Sequence, residues 1–220
     1  MKETESVIIM ENCKETLGLH FTINHRGKMI GMSSLSTSPL CNKYCAAYAQ
    51  DETKICSHCY AQRQMKMYPS MKKCLQQNTN ILCDSIIPFD SLPVINRAFF
   101  RFESFGDLNN CNQVINYFNI CKKNKHVHFA LWTKNPNLIK HTLDTGEKKP
   151  GNLQIILSSH YLNIPADISK WDFVDKIFTV YDAEYIAKHN IEINCGAKSC
   201  LTCNKCYRKT KEVYINEKLK

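Results

Sequence analysis

The feature of this sequence that most constrains its fold is cysteine, which occurs 13 times in 220 residues. Most of these cysteines fall into two groups near opposite ends of the chain. The first cysteine group is Cys41, Cys45, Cys56 and Cys59, and the second cysteine group is Cys195, Cys200, Cys203 and Cys206. An odd number of cysteines cannot pair completely as disulfides. Two compact groups of four instead predict two metal sites.

The start of the chain gives no sign of secretion. Residues 1–5 lack an apolar segment behind a basic start, so we expect no secretory signal. The expected location is a reducing cytoplasm, where disulfides are rare. No run of about 18 apolar residues occurs, so the sequence predicts no membrane partner.

Apolar runs that alternate with amphipathic segments predict an α/β fold. The predicted strands are residues 98–103, 127–132, 153–158 and 176–181, and the predicted helices are residues 112–122, 136–143 and 183–188. Nearly continuous apolar strands between helices favour a parallel sheet covered by helices. Four or five such units suit a partial (βα) barrel or an open sheet, since a full eight-stranded barrel needs about 250 residues.

The remaining segments define a division of the chain. Apolar runs at residues 7–10, 20–23 and 29–35 predict further strands, and residues 60–80 predict one helix. We therefore expect an α/β partial barrel with an N-terminal cluster loop over residues 1–194. A C-terminal cysteine-rich, cluster-binding segment follows over residues 195–220 and ends in a basic tail from residue 207.

The first cysteine group is compatible with two kinds of metal. Soft thiolates select zinc or iron–sulfur clusters over harder cations, and two cysteine pairs on adjacent loops would suit a zinc ion that holds the loop together. The group also follows a predicted strand and precedes a helix, where ligands bind in α/β folds. His58, between two of the cysteines, is expected to be exposed or outside the ligand set.

The second cysteine group favours an iron–sulfur cluster. Three of its cysteines follow one another at Cys-x-x-Cys spacing, which is typical of iron–sulfur ligation, whereas zinc sites use two separated pairs. Zinc and free thiols are the alternatives. Basic residues that would offset the thiolate charge surround it, namely Lys198, Lys205, Arg208 and Lys209. Of the scattered cysteines, Cys13 could join a site through the fold, and the others, Cys74, Cys83, Cys111 and Cys121, are expected to be dispensable for metal.

Short segments in a fixed order add a resemblance to a family. They are residues 34–37, residues 59–61 (Cys-Tyr-Ala), residues 101–107, residues 132–134, residues 157–159 and the closing cysteines. Together they resemble the phage and viral gene product eighty-eight family, related in pattern to radical-SAM enzymes, over roughly residues 30–206. The resemblance implies a radical-SAM-like partial (βα) barrel with two 4Fe–4S clusters. It further implies a redox or radical enzyme that receives electrons from a donor protein or molecule. The sequence does not indicate its substrate.

The resemblance also brings in S-adenosylmethionine (SAM) as a cofactor. SAM chelates a 4Fe–4S cluster through one iron that no protein group holds, so three ligating cysteines leave that iron open and four close it. The radical-SAM loop is usually Cys-x-x-x-Cys-x-x-Cys. Here Cys41 and Cys45 keep the first spacing, Tyr48 stands at the third position, and Cys56 and Cys59 follow an insertion. The sequence leaves both coordination states open.

The end of the strand at residues 98–103 carries the candidate cofactor-binding residues Glu103, Gly106 and Asp107. In radical-SAM enzymes this place receives the SAM ammonium, to which a carboxylate makes a charge-assisted hydrogen bond. Gly106 would let the backbone approach a ligand closely. The alternative is that Asp107 caps the following helix.

Three residues near later strand ends are weaker candidates. Lys134 could bind a carboxylate or phosphate, and His160 could donate a proton, although such side chains more often serve the structure alone. Trp132 is expected in the core rather than as a stacking platform. No catalytic residue follows from the sequence.

The net charge of +9 admits a nucleic-acid partner. The basic clusters are dispersed, at residues 72–73, 122–125, 148–149 and 205–211, and such runs are usually solvated faces. Besides the radical-SAM-like enzyme, two alternative functions remain open. One is a zinc-binding, nucleic-acid-binding module, and the other is a non-catalytic iron–sulfur protein with an electron-transfer or structural role.

Overall fold

The chain folds around one seven-stranded sheet in a computed structural model that describes residues 17–219. The strands are β1 Phe21–Ile23, β2 Ser33–Leu35, β3 Phe99–Phe102, β4 His128–Thr133, β5 Leu153–Ser158, β6 Lys176–Tyr181 and β7 Tyr214–Lys218. They lie in chain order across the sheet. β1 is antiparallel to β2, and every later pair of neighbours is parallel. The predicted α/β fold is therefore confirmed as a mostly parallel sheet with helices.

Helices connect the strands, and the three longest of the described helices cover one face of the sheet. The described helices are α1 Lys43–Ala49, α2 Tyr60–Met67, α3 Pro69–Asp84, α4 Cys111–Lys123, α5 Pro136–Asp144, α6 Ala183–His189 and α7 Cys200–Cys203. Leu82 of α3, Phe118 of α4 and Ile139 of α5 are buried in one core with Phe102 and Phe129 of the strands. None of the helices in this part of the chain has the length and apolar character to span a bilayer.

The opposite face of the sheet, called the second face here, is covered by the cysteine-rich C-terminal segment. Tyr207 is buried there in a small cluster with Met32, Ala130 and Ile156. Partly buried side chains that pack against this cluster include Cys200 and the further residues Trp132, Phe178 and Cys206. The second cysteine group thus lies against the sheet on the side away from α3, α4 and α5.

The later strands and helices agree closely with the sequence prediction, and three earlier or terminal elements differ. The helix predicted at residues 60–80 is two helices, because Tyr68 is extended (φ −122°, ψ 92°) ahead of Pro69, as the residue before proline usually is. The strand predicted at residues 29–35 extends only over Ser33–Leu35, because Gly27–Met29 forms a 3-10 turn. The strand predicted at residues 7–10 lies outside the described residues.

The basic tail predicted from residue 207 is wrong, because the segment includes strand β7. This strand pairs in parallel with β6, with Ile215 opposite Phe178. Ile215 is buried, while its neighbours in the strand are polar or partly exposed. The single buried apolar side chain and the free edge of β6 account for the pairing. Residues 195–219 therefore complete the sheet as well as carrying the second cysteine group.

Candidate metal centres

The first cysteine group is held at the carboxyl ends of the parallel strands by Asn42, the N-cap of α1. The Asn42 side-chain oxygen accepts the backbone N–H groups of Tyr44 (2.9 Å) and Cys45 (3.3 Å). Its amide donates to the main-chain oxygens of Asp107 (2.9 Å) and Leu108 (3.1 Å). Asn42 is buried, so one side chain both starts the cysteine-bearing helix and fixes it to the loop after β3.

Three thiols of the first cysteine group lie within electrostatic reach of one another. Burial raises the pKa of Cys45, and the charges of Asp107, Cys59 and Cys56 raise it further. Burial also raises the pKa of Cys56, where the Lys134 ammonium acts in the opposite sense and Cys59 adds to the rise. A tight turn links the last two cysteines, since the Cys59 N–H donates to the Cys56 oxygen at 3.1 Å.

The fourth cysteine of this group, Cys41, differs from the other three. It is exposed, whereas Cys45 is half-buried. Burial raises the pKa of Cys83 on α3 to about 12, with contributions from the charges of Glu103 and Cys41. The Cys41 thiol is therefore within electrostatic reach of Cys83, one of the scattered cysteines. His58 is exposed, as the sequence predicted.

The second cysteine group is folded by two successive tight turns. Ser199 caps the short helix α7, and Asn204 ends it in the left-handed conformation (φ 41°). The Tyr207 N–H then donates to the Asn204 oxygen at 2.9 Å. Burial raises the pKa of Cys206 to about 12, and the charges of the other three thiols add to the rise. All four cysteines of the group therefore interact.

Cations from distant parts of the chain surround the second cysteine group. Lys28 donates to the Cys195 sulfur at 3.3 Å and forms an ion pair with Glu217. Burial lowers the pKa of Lys176, which is only 1% exposed on β6, and the Cys206 charge opposes this. The Lys176 ammonium donates to the Thr210 hydroxyl (2.7 Å) and the Glu212 main-chain oxygen (2.9 Å).

The four basic residues predicted around this group play unequal parts. Lys205 forms an ion pair with Glu212 at 2.9 Å. The hydrogen bond to Glu212 is the largest cause that raises the pKa of Lys205, and the charges of Cys203 and Cys195 raise it further. Arg208 lies 5.4 Å from the centre of the Phe99 ring. Lys198 and Lys209 are exposed. The sequence pattern did not single out Lys28, Arg101 or Lys176 as cations near this group. Arg101 interrupts an apolar strand and Lys176 begins another, which was a usable signal.

The thiols are suitable donors for a metal, but in the part of the chain that the structure describes they do not form a metal-binding geometry. All twelve cysteines in residues 17–219 are free thiols. Over the same residues, no three histidine, cysteine, aspartate or glutamate side chains are placed so that they could hold a metal ion. Grouped thiols suit soft metals, and the cations nearby would balance the negative charge of a thiolate-bound centre. The residues therefore fit an iron–sulfur cluster or zinc in donor type and in charge. Cys13 lies outside the described residues.

Glu103, a predicted cofactor-binding residue, is buried and hydrogen-bonded within the protein. Its Oε1 accepts from the Tyr117 hydroxyl (2.5 Å), the Gln113 amide (2.7 Å) and the Thr37 hydroxyl (3.1 Å). Its Oε2 accepts the Thr37 N–H at 3.2 Å. Burial raises the pKa of Glu103 to about 8, against the lowering effect of these bonds. The carboxyl group thus fixes the turn that leads from β2 to the first cysteine group.

Asp107 links the ends of β3 and β4. It accepts the Thr133 hydroxyl (2.5 Å) and the backbone N–H groups of Lys134 (2.7 Å) and Leu108 (2.7 Å). The alternative that Asp107 caps the following helix is wrong, because Asn110 is the N-cap of α4.

Gly106 is required by the backbone rather than by an open ligand site. Its φ is +79°, and a Cβ there would lie 2.5 Å from the Thr37 main-chain oxygen. The close approach that glycine permits is therefore to Thr37, in the turn after β2.

His160 and Tyr44 form a small polar network beside Cys56. His160 Nε2 lies 3.0 Å from the Tyr44 hydroxyl and 3.1 Å from the Lys134 oxygen, and the hydroxyl also donates to that oxygen. These partners assign the proton to Nε2, and Nδ1 is buried with no hydrogen-bond partner. Burial and the Lys134 charge lower the pKa of His160 to about 4. The ring is therefore neutral at pH 7, with its proton on Nε2 and an acceptor at Nδ1. The proton-donor role expected from sequence stays a prediction.

The basic clusters that admitted a nucleic-acid partner are partly used within the fold. Lys122 pairs with Glu147 at 2.9 Å, and Lys149 pairs with Asp175 at 2.5 Å. Lys123 donates to three main-chain oxygens, those of Phe89, Asp90 and Leu92. These contacts favour structural roles for the lysines concerned.

Comparison with known proteins gives no match to a family model, a curated protein or a solved structure. The fold and the site therefore define the class. The chain is an α/β protein whose seven-stranded, mostly parallel sheet carries one group of free thiols at its strand ends and a second against its second face.

Proposed function

We propose that this chain is an iron–sulfur protein that binds two clusters, of the 4Fe–4S type, on a radical-SAM-like scaffold. The activity proposed is that of a redox or radical enzyme served by an electron donor, in keeping with the resemblance to the gene product eighty-eight family. One observation carries the proposal: free thiols form two interacting groups, and the second has beside it the half-buried Lys28 and the buried Lys176 from other elements.

The strand order supports the partial (βα) barrel. Strands β2 to β7 are parallel and lie in chain order. A doubly wound sheet instead reverses its strand order at a switch point and carries helices on both faces. The long helices α3 and α4 pack on one face here, together with α5. Winding in a single direction is the pattern of a (βα) barrel that has not closed.

The first centre would use Cys45, Cys56 and Cys59. Their mutual interaction, and the exposure of Cys41 where these three cysteines are half-buried, favour three ligands over four. A 4Fe–4S cluster held by three cysteines would leave one iron for SAM and, on reduction, supply radical chemistry.

The surrounding residues of this chain would position and support that first centre. Asn42 and Asp107 fix the helix that carries Cys45. Glu103 is a positioning residue for the preceding turn, because its carboxyl oxygens are occupied by protein donors. His160 offers a neutral nitrogen, Nδ1, that could accept a proton or hydrogen bond.

The second centre would use Cys195, Cys200, Cys203 and Cys206. Four thiolates would close the coordination of a cluster, so this centre would pass electrons or brace the fold rather than bind SAM. Lys28 and Lys176 place positive charge beside it, which favours the reduced state of a bound cluster.

Anaerobic purification tests this proposal. Brown protein with absorbance near about 400 nm is the expected result, and SAM cleavage after dithionite reduction would separate a radical enzyme from a non-catalytic iron–sulfur protein. The variant C45S should lose SAM cleavage, and the matched control variant C74S should retain it. Colourless protein that holds two zinc ions would contradict the proposal and favour a zinc-binding, nucleic-acid-binding module.

A further inference from the structure

Arg101 is a cation in the sheet without an acidic partner. It stands between Phe100 and Phe102 on β3, and because these pack with the helices, its side chain points to the second face. There the guanidinium carbon lies 3.9 Å from the centre of the Trp132 ring. In the part of the chain that the structure describes, Arg101 forms no ion pair.

The hydrogen-bonding capacity of Arg101 is largely unused. Its Nη1 lies 3.7 Å from the Met29 sulfur, a weak acceptor, and its Nη2 lies 3.5 Å from the Glu103 main-chain oxygen. Its Nε is buried and has no partner. A guanidinium carries five N–H donors in a planar fork, and leaving buried donors without acceptors is costly.

A second orphan group lies next to it. Ser34 on β2 is directly opposite Arg101 in the parallel register, so the two side chains share the second face. The Ser34 hydroxyl is buried and also has no hydrogen-bond partner. A hydroxyl and a guanidinium on neighbouring strands are therefore both unsatisfied on one patch of the sheet.

The patch lies between the two cysteine groups. Loss of hydration around its hydroxyl raises the pKa of Tyr60, the residue after Cys59, and the Arg101 charge partly offsets that rise. Burial likewise raises the pKa of Cys206, and Arg101 again acts against it. The Trp132 ring under the guanidinium also contacts Tyr207, the residue after Cys206, with ring centres 6.0 Å apart.

We propose that Arg101 and Ser34 form a binding site for the oxyanion group, a carboxylate or phosphate, of a small ligand on the second face of the sheet. The guanidinium fork matches two oxygens of such a group, the hydroxyl supplies a further donor, and stacking on Trp132 fixes the plane of the fork. The site goes beyond the proposed function, because neither residue belongs to a cysteine group. An oxyanion held there would place its ligand between the two centres.

The test is anion-dependent stability of the anaerobically purified protein. Thermal unfolding midpoints are measured with sodium phosphate and with sodium acetate, each against sodium chloride at equal ionic strength. The variants are R101Q, S34A and, as the matched loss of an exposed arginine, R63Q. In wild type and R63Q, the unfolding midpoint should rise with the concentration of phosphate, acetate or both until it reaches a plateau. In R101Q, neither anion should change the midpoint. The more effective anion indicates whether the ligand carries phosphate or carboxylate.

If R101Q does not fold, the variant S34A tests the same proposal. Because the Ser34 hydroxyl has no partner, its removal should not lower the midpoint without anion, while anion affinity should fall about fivefold. An equal anion effect in R101Q or S34A, or none in wild type, would overturn the proposal. So would metal loss in R101Q without any anion effect in wild type, since Arg101 would then only balance thiolate charge. An Arg101-dependent effect in metal-free protein would support the anion site while contradicting the proposed function.

Discussion

The side-chain amide of Asn42 donates to the main-chain oxygen of Asp107 at 2.9 Å, across 65 residues of sequence. Asn42 stands directly after the first cysteine of the chain's N-terminal group and caps the helix that carries the next. Asp107 in turn accepts the Lys134 N–H at 2.7 Å. The ends of three parallel strands are thereby joined to the first cysteine group.

The first prediction concerns this link. N42A should lower the free energy of unfolding by about 1–3 kcal/mol, because it removes a helix cap and two buried hydrogen bonds. It should also reduce metal bound by the first cysteine group while leaving the second loaded. Chemical denaturation and metal analysis measure both effects. N119A, on the half-buried part of α4, is the control, and equal stability of the two variants would contradict the role given to Asn42.

The second prediction separates three ligands from four. C41S should keep the full iron content of anaerobically purified protein, because Cys41 is exposed while the other three cysteines of its group are half-buried. C45S should lose about half of the iron, because Cys45 belongs to the interacting set. Iron analysis with electron paramagnetic resonance of the reduced protein distinguishes them. If C41S loses as much iron as C45S, the first centre has four ligands and its iron is closed to SAM.

The third prediction concerns the second centre. C200S should also remove about half of the iron and leave the spectrum of the first centre in place. C74S is the matched control, since Cys74 on α3 is not among the thiols that act on Cys200. An unchanged iron count in C200S would show that the second cysteine group is not a ligand set.

The fourth prediction is a pH dependence that originates in Glu103. Its pKa is raised from 4.5 to about 8 in the folded protein, so between these values the folded state binds more protons than the unfolded state. The contribution of Glu103 to stability is therefore present at low pH and is lost as pH rises toward 8, at up to about 1.4 kcal/mol per pH unit.

Urea denaturation from pH 5 to pH 8 measures this effect. The difference in unfolding free energy between wild type and E103Q should fall steadily across the range, because the glutamine cannot ionise. E192Q, which changes an exposed glutamate, should follow the wild-type curve. A constant difference between wild type and E103Q would mean that Glu103 ionises normally.

The sequence predicted the later half of the sheet well because those strands are nearly uninterrupted apolar runs. Every residue of β5 is buried, for example. It failed where one residue decides the outcome: Pro69 splits a helix that periodicity makes continuous. It also failed at β7, where Ile215 alone carries the apolar signal and the pairing depends on the free edge of β6.

Of the two candidate metal centres, only the features set by neighbouring residues in the sequence could be predicted. Cysteine spacing defines both groups, but the greater exposure of Cys41 depends on tertiary packing that the spacing does not contain. The cations around the second group come from elements far apart in sequence, Lys28 before β2, Arg101 on β3 and Lys176 on β6. Their convergence follows from the strand order, which local patterns do not contain.

The most direct test of the account is the ratio of iron, acid-labile sulfide and zinc per chain in protein kept free of oxygen. Two 4Fe–4S clusters predict about eight irons and about eight sulfides with negligible zinc. Well-folded protein that contains neither iron nor sulfide would contradict the central claim, whether or not zinc is found in their place.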